Sequence, residues 1–131
     1  LDTGHLFHTN DEIRTQEEGL AYIHAMLDAH GELARRIYGM HLHQSITGTV
    51  SKAMREHPPA LADTYQARAS QMLEYAFRID QHRPFTCLGV GELVERIHPA
   101  YLTFEFMSEN TIQHRTLLQE QKKALEQRIR V

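Results

Sequence analysis

Tyr101-Leu102-Thr103-Phe104-Glu105-Phe106-Met107 is the stretch on which the fold class turns. Leu102, Phe104 and Phe106 alternate with Thr103 and Glu105, the period-2 pattern of a half-buried strand. A single strand has no stability without a partner, and no second alternating run stands out elsewhere in the chain. The segment therefore reads as the buried start of a long final helix, and the chain as all-α.

Working outward supports that class. The final helix continues through Ile112, Leu118, Leu125 and Ile129, and residues 119–131 are polar with a narrow apolar seam, a pattern suited to a partner helix or a connector. Before it, Glu92 to His98 forms a short helix ending near Pro99. Residues 82–91, with Pro84, Gly89 and Gly91, read as a loop. Leu61, Tyr65, Ala69, Met72, Ala76 and Ile79 recur at helical spacing, flanked by Leu73 and Phe77, and make the strongest helix of the chain. His57-Pro58-Pro59 separates it from a preceding helix over Glu32 to Glu56, apolar on two faces (Leu33, Ile37, Met40, Thr47, Val50 and Met54; Leu42 and Ile46) and so expected at the centre of the fold. The first helix carries Leu20, Ile23 and Leu27. Thr9 with Glu12 and Thr15 with Glu18 both fit a capping box at its start, and residues 1–8 read as an extended lead-in. The expectation is one domain, 1–131: an all-α bundle of about five helices with a long C-terminal helix.

Composition narrows the function. A chain of 131 residues with 41% hydrophobic and 24% charged residues is an ordinary single globular domain. Its formal charge is -3 with acids and bases interspersed, so it lacks the basic face that nucleic acid requires. The single cysteine, Cys87, forms no internal disulfide, which fits a reducing cytoplasm. No apolar run reaches the roughly 18 residues of a membrane span.

The ten histidines are the compositional excess, and histidine is the commonest metal ligand. Their spacing offers no H-x-x-x-H or H-E-x-x-H pair for a one-helix zinc site. Glu95 and His98 form a single E-x-x-H, where a di-iron bundle needs two. His41 and His43, two apart, diverge on a helix but would share a face on a strand. A site assembled between helices is the remaining metal option, with His30, His82, Cys87 and His114 as ligands, zinc as the candidate ion, and His98 as a further candidate. An early histidine, Cys87 in a glycine-containing turn and a late histidine resemble in outline the three-histidine, one-cysteine site of the zinc-binding helical sensor domains of bacterial chemoreceptors. The chain departs from that pattern in having no tryptophan after the cysteine and no H-x-x-x-H.

No nucleophile elbow, Walker loop or Rossmann glycine pattern is present, so no enzyme is expected. The reading is a cytoplasmic sensory or regulatory helical domain that forms a homodimer or binds a partner protein through its long helices. An apolar ligand pocket would draw on Met72, Phe77, Tyr101 and Phe104. A metal-binding bundle (Zn or Fe) is the alternative.

Overall fold

The computed structural model describes residues 1–127. Helix dominates, in six α-helices among these residues, but a short two-stranded parallel sheet is also present and corrects the purely α-helical expectation. The order is α1 (Thr3–Phe7), α2 (Gln16–His30), a 3-10 segment (Gly31–Arg36), β1 (Gly39–His41), α3 (Gly48–Glu56), α4 (Tyr65–Ile79), α5 (Val90–Ile97), β2 (Tyr101–Thr103) and α6 (Thr111–Glu126).

The 101–107 stretch is a strand start after all, because it has a partner. β1 and β2 pair in parallel, with Gly39 opposite Tyr101, Met40 opposite Leu102 and His41 opposite Thr103. The expected helix over 32–56 is broken by Gly31, which takes φ +52° at the end of α2, and resumes as α3 only at Gly48. In between, a 3-10 segment (Gly31–Arg36) gives way to extended chain, and the alternation Met40 and Leu42 in, His41 out becomes strand periodicity. The N-terminus joins the same layer: the Leu1 ammonium donates to the Gly39 carbonyl (2.8 Å), and the His41 amide donates to the Leu1 carbonyl (2.8 Å). Asp2 thereby bridges in parallel to His41. Residues 1–8 are thus an edge segment followed by α1, capped by the Asp2 carboxylate on the His5 amide, rather than an extended lead-in.

α2 begins where one of the two capping boxes places it. Thr15 accepts from the Glu18 amide and Glu18 reaches back to the Thr15 amide. Its Leu20, Ile23 and Leu27 are buried with Phe7, Met40, Leu42, Phe85, Val90 and Leu93 in the core between the sheet and α1, α2 and α5. α6 closes this core with Leu117, Gln121 and Ala124, and the Gln121 side chain accepts the Phe85 amide at 2.9 Å. Its helical start at Thr111 corrects the expectation of a helix from Tyr101. In the seam expected at the end of the chain, Leu118 and Leu125 lie on α6, while Ile129 falls outside the described residues.

α3 and α4 form a hairpin that projects from the core. α4 matches the strongest helix read from sequence, yet none of its residues is buried. Leu61, Tyr65, Met72, Leu73 and Phe77 are all more than half exposed, so the apolar stripe read as core faces outward. No helix among the described residues is long and apolar enough to cross a membrane.

Candidate functional site

Parallel strands bring their carboxyl ends to the same edge, which is where open α/β sheets place their ligands. Here that edge collects imidazoles and carboxylates. Asp2 and His5 come from the N-terminal segment and α1, His41 ends β1 with His43 two residues beyond it, and Glu105 lies just past β2. Asp80 and His82 arrive from the chain between α4 and α5, held beside β1 by reciprocal backbone bonds between Gln44 and Arg83 (2.7 and 2.9 Å).

His43 is fully buried, its ring stacked on that of His82 at 4.1 Å with 8° between the planes. Asp2 Oδ1 lies 3.0 Å from its Nε2, but at an angle that makes no hydrogen bond, so both ring nitrogens are unpartnered. A buried polar atom without a hydrogen bond costs about 1–3 kcal/mol, and an imidazole nitrogen keeps a lone pair able to ligate a cation. The backbone around it is fixed by Thr3, whose hydroxyl donates to the His43 carbonyl (2.6 Å) and accepts the His43 amide (3.1 Å). Glycine is required at position 4, since a Cβ there would collide with the His43 ring.

His82 has a left-handed backbone (φ +47°), a conformation that costs a non-glycine residue roughly 1–2 kcal/mol. Its Nδ1 lies 3.1 Å from the Glu105 carbonyl and its Nε2 2.8 Å from Asp80 Oδ2. A carbonyl only accepts, so Nδ1 carries the proton and donates. Nε2 is left to face a carboxylate, and two lone pairs at that distance need a proton or a cation between them. An imidazole that donates one N–H to a carbonyl and turns the other nitrogen to a site is the usual posture of a metal-ligating histidine. His5 reaches both carboxylates: Nδ1 is 3.0 Å from Asp2 Oδ2 and Nε2 is 3.1 Å from Asp80 Oδ2. His41 Nδ1 lies 3.1 Å from Glu105 Oε2 and 3.5 Å from Asp2 Oδ2.

Three groupings therefore have the reach to hold a cation: His5 with Asp80 and His82, His43 with His82 and Glu105, and Asp2 with His41 and Glu105. In each, one ligand atom per residue lies within 4.8 Å of the others. His82 and Glu105 belong to two groupings apiece, so the three form one continuous cluster.

The electrostatics follow from this crowding. The Asp80 hydrogen bond, against the cost of burial and with help from the Asp2, Asp80 and Glu105 charges, raises His5 above its ordinary 6.5. Burial lowers His43 below 6.5, opposed by Asp2 and Asp80 and reinforced by His82 and His5, and keeps the ring neutral at pH 7. Burial raises Asp2 and Asp80, but the His5 amide and nearby imidazoles outweigh it for Asp2, and the His5 and His82 hydrogen bonds for Asp80, so both end below the usual carboxylate value.

The two histidine shifts act on opposite sides of pH 6.5. For His43, unfolding takes up a proton that the folded ring refuses, so stability falls as pH drops below 6.5. For His5, the stabilisation is complete below 6.5 and disappears as pH rises through the folded value. The metal-free protein is expected to show its highest urea midpoint near pH 6.5. The alkaline limb is the shallower, because half-exposed His5 is screened by solvent. A midpoint changing in one direction from about pH 5 to pH 8 would contradict this assignment.

Of the metal ligands expected from sequence, the structure brings only His82 into the cluster among the described residues. His30 ends α2 with Nδ1 against the Met26 carbonyl, and His114 on α6 contacts the Ser108 hydroxyl. Cys87 is buried before α5, where burial and the Glu17 charge push its thiol up to about 11. It lies outside all three groupings. His98 caps α5, away from these groupings. Of the expected apolar-ligand residues, Met72 and Phe77 sit exposed on α4, Tyr101 packs edge-on against Tyr38, and Phe104 stacks near Phe106. An apolar cavity of about 280 Å³ does exist, lined by other residues, among them Leu6, Ile23, Leu27 and Ile37.

Asp2, His5, Asp80 and Glu105 are not singled out by sequence reasoning, and His43 is considered only as a pair with His41 that a helix would separate. The usable signal was His41-Leu42-His43, whose spacing shares a face only on a strand, together with the alternation around Glu105. No protein-family model, curated protein or solved structure matches the chain.

Proposed function

We propose that this chain holds a divalent metal ion of the zinc, manganese or iron class at the carboxyl edge of its sheet, in the cluster of Asp2, His5, His43, Asp80, His82 and Glu105. The observation that carries this reading is the buried His43 ring, hydrogen-bonded at neither nitrogen and with Nε2 3.0 Å from Asp2 Oδ1, stacked on a His82 that presents Nε2 to a carboxylate. The mixed imidazole–carboxylate donor set, with no thiolate, suits those metals better than a soft ion. His5, His41 and Glu105 are half exposed, so the cluster opens to solvent on one side, as catalytic sites do and closed structural sites do not. A zinc-class ion held there would supply Lewis acidity. Around it, Asp2, Asp80 and Glu105 would offset the ion's charge, and His5, half exposed between two carboxylates, is placed to exchange a proton with solvent. The class of activity this supports is metal-assisted hydrolysis or a related acid–base reaction. Elemental analysis of chelator-stripped protein after dialysis against zinc tests it: stoichiometric zinc is expected, and none would overturn the reading.

A second reading, self-association in a regulatory role, draws on the exposed α4 stripe of Tyr65, Met72, Leu73 and Phe77. Contiguous exposed apolar surface of this kind marks interaction sites. Sedimentation should show a concentration-dependent dimer that Met72→Glu with Phe77→Glu dissociates. A monomer at millimolar concentration would rule it out.

A further inference from the structure

Ser45 lies two residues beyond His43 and is 1% exposed. Its hydroxyl accepts the Gln81 amide at 2.9 Å and the His82 amide at 3.1 Å, and donates toward Asp80 Oδ1 at 3.4 Å. A serine hydroxyl has one donor and two acceptor positions, and all three are spent on the three consecutive residues Asp80, Gln81 and His82. These residues belong to a turn that is otherwise hard to hold, since His82 has a positive φ. The same oxygen thus ties the chain that carries His82 to the chain that carries His43, and the two rings stack as a consequence.

We infer that Ser45 is the positioning residue of the metal site: its hydroxyl fixes the Asp80–His82 turn in the one geometry that presents a carboxylate oxygen and the His82 Nε2 together beside His43. This rests on the metal reading above. Groups that orient metal ligands in this way typically change affinity by about 10–100-fold when removed.

Thr47 provides the control. It is equally buried, and its hydroxyl donates to the Ile79 carbonyl at 2.7 Å, tying together the same two chain segments without touching Asp80, Gln81 or His82. Zinc affinity, the visible spectrum of the cobalt(II) form and the urea midpoint are to be measured for wild type, Ser45→Ala and Thr47→Val. Both variants are expected to lower the midpoint. Only Ser45→Ala is expected to weaken zinc binding by about 10–100-fold and to alter the cobalt bands, with Thr47→Val close to wild type. Should Ser45→Ala fail to fold, Ser45→Gly, which also lacks the hydroxyl and adds no metal ligand, takes its place with the same expected order. Equal affinity losses in the two variants, or none in Ser45→Ala, would overturn the inference. A wild-type chain that takes up no zinc would overturn the metal reading. Proton NMR of the metal-free protein then decides Ser45 separately: the ring-current shifts of stacked His43 and His82 are expected to collapse in Ser45→Ala, and their persistence would refute the positioning role.

Discussion

His82→Ala is expected to weaken zinc binding by more than the ~10–100-fold typical of removing a group that merely orients a ligand. His82 is the one imidazole shared by two of the three metal-capable groupings, and its Nε2 faces Asp80 at 2.8 Å while Nδ1 is occupied by the Glu105 carbonyl. Removing it takes a ligand from both groupings and leaves His43 with no ring to stack on. Glutamine at position 82 should do little better, because its amide carbonyl is a weaker ligand for these metals than a neutral imidazole. His114→Ala is the matched control, since the His114 ring bonds the Ser108 hydroxyl, lies outside the three groupings and should leave affinity unchanged. Titration calorimetry on chelator-stripped protein reads both. Equal affinities for His82→Ala and wild type would remove His82 from the site.

Phe85→Ala is expected to produce the largest loss of stability, about 3–5 kcal/mol. The ring is fully buried, meets Phe7 edge to face at 6.0 Å, and lies in the core cluster with Ile23, Leu42 and Leu93. Its amide is held by the buried Gln121 of α6, so the cavity would open where α6 joins the rest of the core. Against the 5–15 kcal/mol typical of a whole domain, such a loss leaves a marginal fold. A urea midpoint shift equivalent to less than about 1 kcal/mol would mean that this side of the core is loosely packed. Removing Phe77 from the exposed face of α4 should cost the metal-free monomer little, and the contrast between the two phenylalanines tests the burial pattern.

The contrast also marks what can be read from sequence. Local chemistry was legible: the Thr15–Glu18 capping box starts α2, the prolines after His57 end α3, and the Tyr65–Ile79 stripe is a helix. What a stripe cannot state is which neighbour covers it, and α4 is apolar at helical spacing while remaining outside the core. The strands were illegible for a different reason. β1 is three residues long, and its stability comes from β2 and the N-terminal segment, both far away in sequence. Without β1, the alternation at Tyr101–Met107 has no partner and the helical reading follows. The same missing pairing hid the site. Asp2, His43, His82 and Glu105 form no spacing motif, because four separate segments carry them and only long-range pairing brings them together: parallel for the Asp2, His43 and Glu105 segments, antiparallel at Gln44–Arg83 for that of His82. His82 was reachable as a candidate through the histidine excess alone, whereas Cys87 drew attention by chemical type and lies buried outside the three groupings.

Anomalous diffraction from crystals grown with zinc, recorded at the zinc absorption edge, tests the central claim most directly. The expected result is a strong peak within bonding distance of His82 Nε2 and of at least one of Asp80, His43 and Glu105. A zinc peak confined to His30, His98 or His114, or no peak in protein shown to be exposed to the metal, would contradict the assignment of this sheet edge as a metal centre.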